Sequence, residues 1–170
     1  MTSLSPMSES AFADYLAYAI PDFARDKVQA GQWAEGESLE LSRSGYVDML
    51  PQGLATPDNF FYTLCDGATQ ADVGMLWFAA QLRGGQRIAY VYDVYVRPEH
   101  QRMGHAGRAF AALEVEARRL GLTGIALHVF GHNAGAQALY QKLGYVPTNI
   151  NMFKPLASAD ASGPTQSHQG

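Results

Sequence analysis

The stretch from Val94 to Ala109 constrains the fold more than any other part of the chain. An apolar strand pattern stops at Pro98, a loop with glycine and basic residues follows, and a helical pattern begins near Met103. The free N–H groups of a first helical turn and the positive end of the helix dipole both face such a loop, where Gly104 lets an anion approach the backbone. The stretch therefore predicts an anion-binding turn. A turn that serves folding alone is the alternative reading.

Two helices are predicted before the first strand. The first is capped by Ser8 or Ser10 and carries apolar residues at helical spacing, and Pro21 predicts a kink or a fresh start within it. The second runs from Ala34 to Leu50 and is stopped by Pro51.

Strand and helix patterns then follow along the rest of the chain. Three strands come first, the last two joined by a hairpin turn, and helix, strand, helix and a final strand complete the order. The ranges are 60–66, 73–82, 87–96, 103–120, 124–130, 133–143 and 149–154. Antiparallel hairpins followed by β-α-β-α-β predict a mixed α/β (α+β) sheet with helices on both faces, and we expect the final strand to pair back on the sheet.

Composition limits the classes of function. A chain of 170 residues, 47% hydrophobic and 16% charged, suits one globular domain with a sizeable core, and a net charge of −4 argues against a general nucleic-acid binder. No apolar run is long enough to span a bilayer, and the first ten residues lack the regions of a signal peptide. We therefore expect a cytoplasmic protein with no membrane partner. The small, polar residues 157–170 are predicted to form a disordered tail.

Two motifs stand in the second half of the chain. The first is an apolar strand ending in Val-x-Pro-Glu, followed by Gln-Arg-Met-Gly-His-Ala at 101–106, and the second is a strand, Asn133, and Ala-Leu-Tyr-Gln-Lys-Leu-Gly-Tyr at 138–145. In order and spacing they resemble the signatures of the GNAT superfamily of N-acetyltransferases, and together they cover residues 86–146. One departure is Arg102, which stands where many relatives have glycine, so its side chain is expected to point out of the loop.

The resemblance implies a single N-acetyltransferase domain over residues 1–156. Residues 8–50 would form a helical segment on the acceptor side, and residues 86–146 would bind acetyl-CoA, the co-substrate. In this fold two adjacent strands splay apart and the pantetheine lies in the gap. The residues implied in binding acetyl-CoA are Val94, Tyr95 and Val96 beside the pantetheine, Gln101, Arg102, Met103, Gly104, His105 and Ala106 around the pyrophosphate, and Asn133 and Tyr140 on the second motif. A backbone N–H near Tyr95 or Val96 would polarise the thioester carbonyl.

Tyr140 stands where the family has its catalytic tyrosine. A phenol can donate a hydrogen bond at neutral pH without being ionised, which suits a group that stabilises or protonates the departing CoA thiolate. The alternative is an aromatic residue of a helix face that packs on the sheet. Asn133 is a natural N-cap and can contact CoA as well.

Asp93 is the predicted general base. It interrupts an otherwise apolar strand, and an amine of the lysine type, with a pKa of about 10.4 in water, must lose a proton before it attacks. The alternative is a polar strand edge in which Asp93 hydrogen-bonds the loop at Arg97. His128, on the neighbouring strand, is a second candidate for the base.

Other residues that carry chemistry predict less. His128 and His132 are four apart but straddle a strand end without a third ligand nearby, so we expect no zinc site. The only cysteine, Cys65, is expected to be a small apolar residue rather than a catalytic thiol. Trp33 and Trp77 either line an acceptor pocket or belong to the core.

The sequence thus predicts an N-acetyltransferase that transfers an acetyl group from acetyl-CoA to a primary amine by direct attack in a ternary complex. Residues 9–48 hold eight acidic side chains against three basic ones, which favours a small, cationic acceptor. The alternative is a non-catalytic acyl-CoA-binding or interaction module with the same fold. A nucleotide-binding ATPase or dehydrogenase fits poorly, because the chain has neither glycine-rich loop of those classes. Relatives are often dimers, so a homodimer is compatible with the resemblance.

Overall fold

The computed structural model describes residues 1–156 and contains one five-stranded sheet flanked by helices. In chain order the elements are β1 (Thr2–Pro6), α1 (Glu9–Gln29), α2 (Glu35–Met49), β2 (Asn59–Asp66), β3 (Asp72–Arg83), β4 (Gln86–Val96), α3 (His105–Arg119), β5 (Ile125–Leu127) and α4 (Ala134–Lys142). The predicted tail, 157–170, lies outside the described residues.

The sheet has the order β1-β2-β3-β4-β5. The first four strands pair antiparallel: short turns join β2, β3 and β4, whereas α1 and α2 separate β1 from β2. Strand β5 pairs parallel to β4 because α3 carries the chain back across the sheet. This is the mixed α/β sheet with helices on both faces that the sequence predicts.

Each face of the sheet has its own apolar core. On one face α3 packs against β3 and β4 through a buried cluster that includes Phe110 and Leu113, with Tyr140 and Tyr145 at its margin. On the other face α1 and α2 cover an aromatic cluster that includes Tyr15, Tyr46 and Trp77. Helix α3 and the pair α1 and α2 therefore lie on opposite faces of the sheet.

Strand β1 is absent from the sequence-based prediction. Its sequence, Thr-Ser-Leu-Ser-Pro, has one large apolar residue and no alternation that would mark a strand. It forms because it extends the sheet along β2, from Thr2 opposite Asp66 to Pro6 opposite Tyr62. Long-range pairing outweighs a weak local preference here.

Helix α1 is continuous through Pro21, with Ser8 as its N-cap, accepting from the backbone N–H of Ala11 at 3.2 Å. The fresh start at Pro21 is therefore wrong. Packing of α2 supports this part of the helix, because the buried hydroxyl of Ser42 donates to the carbonyl of Ile20 at 2.7 Å.

The C-terminal part of the prediction needs three corrections. Helix α3 begins at His105 rather than at Met103, because Gly104 adopts a left-handed conformation (φ 82°) that a helix cannot continue. Strand β5 is limited to three residues rather than 124–130. Residues 149–154 form no strand and expose Met152 and Phe153 by about nine-tenths, since so short an edge offers few hydrogen bonds to a further strand.

Candidate active site

The edge of β4 is open at the centre of the fold. Strand β5 pairs with β4 at three positions only, from Ala89 opposite Ile125 to Val91 opposite Leu127, yet β4 continues to Val96. In residues 1–156 no strand lies beside 92–96 on that side. We call this opening the β4–β5 gap, and the predicted pantetheine residues Val94, Tyr95 and Val96 all lie along it.

The loop between β4 and α3 presents backbone N–H groups at a helix N-terminus. Arg102 and Gly104 both have positive φ, 59° and 82°, which curls the chain around the start of α3. Across the described chain, the N–H groups from Arg102 to Gly107 donate to no protein acceptor. Gly104 supplies no side-chain cap, so the N-terminal end of α3 is left for an anion.

Some side chains of this loop are exposed to solvent, and others contact the rest of the protein. Arg102 and Met103 are exposed, whereas the Gln101 side chain donates to the Val96 carbonyl at 3.0 Å and ties the loop to β4. His105 is only 3% exposed, and its Nδ1 lies 2.9 Å from the Thr2 hydroxyl. Burial and the neighbouring Arg108 lower the pKa of His105, so its ring stays neutral. What His105 can offer an anion is its backbone N–H, and the predicted extra charge at this position is absent.

The backbone conformation at position 102 explains why many relatives have glycine where this chain has Arg102. Its φ of 59° is the left-handed conformation that glycine adopts without cost, which accounts for glycine in the motif. An arginine is accommodated because its side chain is exposed, as the sequence predicts.

Helix α4 carries the second motif. The Asn133 side chain accepts from the Ala136 backbone N–H at 3.1 Å, so it is the N-cap. About two turns later, Tyr140 packs its ring edge-on against Phe110, with centroids 5.5 Å apart. Burial, followed by the charge of Asp93, raises the pKa of its hydroxyl to about 12. Tyr140 therefore remains a protonated donor at neutral pH.

A β-bulge in β4 decides where Asp93 points. Trp77 of β3 pairs with Asp93 and Phe78 pairs with Val91, which leaves Tyr92 as the extra residue. Tyr92 and Asp93 consequently both face the α1 side, where the Tyr92 ring stacks on Trp77 at 4.4 Å. Val91 and Val94 pack into the opposite core. Without the bulge, Asp93 would share the face of Val91.

Asp93 is held by helix α1 rather than by the loop after β4. Its Oδ2 accepts from the Tyr15 hydroxyl at 3.0 Å, whereas Arg97 pairs with Asp72 of β3. The alternative in which Asp93 bonds the loop at Arg97 is therefore wrong. Burial, opposed by the Tyr15 hydrogen bond, raises the pKa of Asp93 to about 6, and the negative charges of Asp22 and Asp26 contribute to the rise.

The remaining candidates lie around this centre. His128 lies just after β5, and its side chain is largely exposed. Partial desolvation of the ring and the charge of Lys27 lower its pKa. His132 lies 3.3 Å from Asp26 and links the loop before α4 to α1. Trp77 is a core residue, 1% exposed, and Trp33 packs edge-on against Phe23.

Neither a metal-binding group nor a membrane-spanning helix is found in the described residues. Nowhere in 1–156 do three His, Cys, Asp or Glu side chains come together in a metal-binding group. The same part of the chain has no helix with the length and apolarity needed to cross a membrane.

Open grooves of about 380 and 400 Å³ lie between α1 and α2. They are lined by residues such as Pro21 and Leu39 and include neither Asp93 nor Tyr140, so they are not the catalytic centre.

Sequence reasoning missed Tyr15 and Tyr46. Tyr15 belongs to the buried face of α1 and Tyr46 to that of α2. The helical spacing of apolar residues predicts that such a side chain is buried, but it does not predict which residue the hydroxyl contacts. Their association with Asp93 depends on the bulge at Tyr92, for which the local sequence carries no signal.

Comparison with known proteins identifies the family. The model described as Acetyltransferase (GNAT) family matches residues 26–145. Two proteins of Bacillus subtilis, each named an uncharacterized N-acetyltransferase, are similar over nearly the whole chain. YycN is 36% identical over 154 residues, covering 90% of this chain and 97% of YycN, and YdgE is 34% identical over 154 residues, covering 91% and 98%.

Solved structures agree with this assignment. The crystal structure of YycN matches with a TM-score of 0.87 at 35% identity, over 93% of this chain and 100% of that one. AAC(6')-Iy in complex with the bisubstrate analog CoA-S-monomethyl-acetylneamine shares the fold, with a TM-score of 0.59 at 13% identity, over 93% and 99% of the two chains. On the family match and these relatives, the chain belongs to the GNAT family and is an N-acetyltransferase.

Proposed function

We propose that this enzyme transfers the acetyl group of acetyl-CoA to a primary amine by direct attack in a ternary complex. The observation that carries the proposal is the open edge of β4 over residues 92–96, together with the free N–H groups from Arg102 to Gly107. Asp93, with a pKa of about 6, is a carboxylate at neutral pH, and Tyr140, with a pKa of about 12, is a protonated phenol. A base for the amine and a donor for the thiolate are the two groups that such a transfer requires.

The binding loop fits acetyl-CoA. The unpaired N–H groups from Arg102 to Gly107 suit a pyrophosphate, with Met103, His105 and Ala106 contributing through their backbone. The open edge at Val94, Tyr95 and Val96 suits the amides of a pantetheine, which would pair like an added strand. Gln101 supports the loop through Val96, and Asn133, the N-cap of α4, is the proposed CoA contact of the second motif. When bound, acetyl-CoA supplies the activated thioester carbonyl.

On the acceptor side, Asp93 binds the ammonium form of the amine and accepts its proton, directly or through water. The nitrogen lone pair is then free to form the N–C bond as the C–S bond breaks. A backbone N–H near Tyr95 or Val96 supports the carbonyl oxygen as it gains negative charge. Tyr140 donates a hydrogen bond to the thiolate that leaves.

A cationic acceptor fits the charges around Asp93. Asp22 and Asp26 of α1 are close enough to raise its pKa, so the acceptor side carries several negative charges. Tyr18 and Tyr95, with ring centroids 4.6 Å apart, add aromatic surface that favours an ammonium group. The bisubstrate analog bound to AAC(6')-Iy joins CoA to an acetylneamine group, which supports a small amine acceptor.

The first test is calorimetric titration of the purified protein with acetyl-CoA, CoA and ATP. We expect micromolar binding of acetyl-CoA and none of ATP. A thiol-release screen over polyamines, aminoglycosides, amino acids and peptide N-termini would then find the acceptor. Absence of acetyl-CoA binding would contradict the proposal. Binding without turnover on any amine would instead favour a non-catalytic acyl-CoA-binding module.

A further inference from the structure

We propose that Tyr15 is the positioning residue for Asp93: its hydroxyl holds Oδ2 of the carboxylate and leaves Oδ1 for the acceptor amine. This inference rests on the proposed function, because it assigns Asp93 the role of base. It adds a residue of α1, outside both sequence motifs, to the machinery of transfer.

The Tyr15 hydroxyl reaches Asp93 from a ring that is fixed in place. Tyr15 is 6% exposed, and its ring lies among Phe12, Phe61 and Trp77, with centroid distances of 6.5, 6.3 and 6.5 Å. A ring packed on three sides cannot swing away without opening the core. The 3.0 Å hydrogen bond to Oδ2 therefore fixes one carboxylate oxygen relative to α1.

Packing alone does not account for a tyrosine at this position. Phenylalanine would fill the same apolar space, whereas a buried hydroxyl is unfavourable unless it is hydrogen-bonded. The phenol is retained where its proton meets a carboxylate. In the structure this phenol donates its proton to Asp93 Oδ2, so Asp93 is the acceptor of the pair.

Several titratable groups act on Asp93, and their effects oppose one another. Tyr15, Asp22 and Asp26 of α1 shift the pKa of Asp93. The charge of Asp93 in turn raises the pKa values of Tyr18 of α1, Tyr46 of α2 and Tyr140 of α4. Burial and the carboxylates favour the protonated acid, which cannot serve as a base. The Tyr15 hydrogen bond favours the carboxylate and, with the backbone N–H of Val94, keeps Asp93 ionised at neutral pH.

Titration of Asp93 by NMR tests this inference without an acceptor. Protein labelled with carboxyl-¹³C aspartate is titrated as wild type and as Tyr15→Phe, and Asp93→Asn identifies the resonance. We expect the Asp93 midpoint to rise by roughly one pH unit in Tyr15→Phe, because the hydrogen bond to the charged form is lost. The matched control is Tyr62→Phe, which removes a phenol–carboxylate hydrogen bond to Glu116 on the other face of the sheet and should leave the midpoint unchanged.

A purely structural role of Tyr15 would lower the melting temperature and leave the midpoint where it is. An unchanged or lower midpoint in Tyr15→Phe would overturn the inference. If Tyr15→Phe fails to fold, titration of the wild-type protein alone provides the test. The ¹³Cζ resonance of Tyr15 must shift with the same midpoint as the Asp93 carboxyl, and independent midpoints would overturn the inference equally.

Failure of the proposed function has a different signature. Loss of acetyl-CoA binding, or turnover that is unaffected by Asp93→Asn, would remove the base role while leaving the Tyr15 effect on the Asp93 midpoint in place. A normal acetyl-CoA affinity and an inactive Asp93→Asn variant, combined with an unmoved midpoint in Tyr15→Phe, would reject the positioning role alone.

Discussion

The two sides of the β4–β5 gap are built in different ways. On the acetyl-CoA side the chain offers backbone N–H groups between Arg102 and Gly107, whose direction is set by a turn and a helix start. On the acceptor side it offers side chains from separate elements, Asp93 of β4 and Tyr15 of α1, brought together by a bulge. Backbone recognition leaves a short contiguous motif in the sequence, and side-chain recognition does not.

This difference predicts how each side should respond to mutation. A change in the loop should alter affinity for acetyl-CoA, because only binding depends on those N–H groups. A change at Asp93 or Tyr140 should alter turnover and leave that affinity intact. A loop variant that lowers turnover at saturating acetyl-CoA, or an Asp93 or Tyr140 variant that weakens acetyl-CoA binding, would contradict this division.

The largest effect is expected from Gly104→Asp. Any Cβ at this position strains a backbone with φ 82° and lies 2.8 Å from the Arg108 guanidinium, and the carboxylate repels phosphate. We expect the Kd for acetyl-CoA to rise at least about 100-fold. Gly121→Asp is the control, since Gly121 has φ 70° at the far end of α3 with open space around it. Equal losses in both variants would show that strain in α3, rather than the anion loop, is responsible.

Asp93→Asn is expected to reduce kcat/KM for the acceptor by roughly 100-fold at pH 7.5, because the amine loses its proton acceptor. The Kd for acetyl-CoA should stay within about twofold of wild type by calorimetry, since the loop is untouched. Asp14→Asn, at an exposed position of α1, is the matched control. Full activity of Asp93→Asn would transfer the role of base to another group.

Tyr140→Phe should lower kcat by about 10-fold to 100-fold, because the thiolate then leaves without a hydrogen bond. Tyr145→Phe removes a phenol from the same aromatic cluster, whose Phe110 ring lies 5.7 Å away, and should keep most of the activity. If Tyr140→Phe left kcat unchanged and Gly104→Asp left the Kd for acetyl-CoA unchanged, the mechanism would be wrong.

Asp93 should also make stability depend on pH. Its folded-state pKa of about 6 lies above the ordinary value of 3.8, so the native state binds more protons than the unfolded state between these values. Stability is therefore expected to fall as pH rises from 4 to 7, by on the order of 1–2 kcal/mol relative to Asp93→Asn. Urea unfolding of both proteins at each pH measures the difference, and a parallel pH dependence of the two would contradict the burial of an ionised Asp93.

The smallest effect is expected from Arg102→Gly. Glycine relieves the strain at φ 59°, while loss of one exposed charge weakens phosphate binding slightly. The free energy of unfolding should rise by about 0.5–1 kcal/mol and the Kd for acetyl-CoA should change by less than about threefold. A large loss of affinity would instead mean that the Arg102 side chain itself binds the phosphates.

Sequence patterns predict the parts of this fold that are determined locally. The order of strands and helices, the turn at Gly104 and the N-cap at Asn133 follow from periodicity and capping. Strand β1 and the extent of β5 do not, because they depend on pairing with distant residues. The two faces of the site divide in the same way: the motif identifies the loop, whereas the bulge at Tyr92 that turns Asp93 toward Tyr15 results from the pairing of β3 with β4.

The pH dependence of kcat/KM for the acceptor, compared between wild type and Asp93→Asn, tests the central claim most directly. We predict that the wild-type profile falls on the acid side with a midpoint near pH 6 and that this limb disappears in Asp93→Asn. The same acid limb in both enzymes would contradict the role of Asp93. Loss of the limb in His128→Gln would then assign the base to His128.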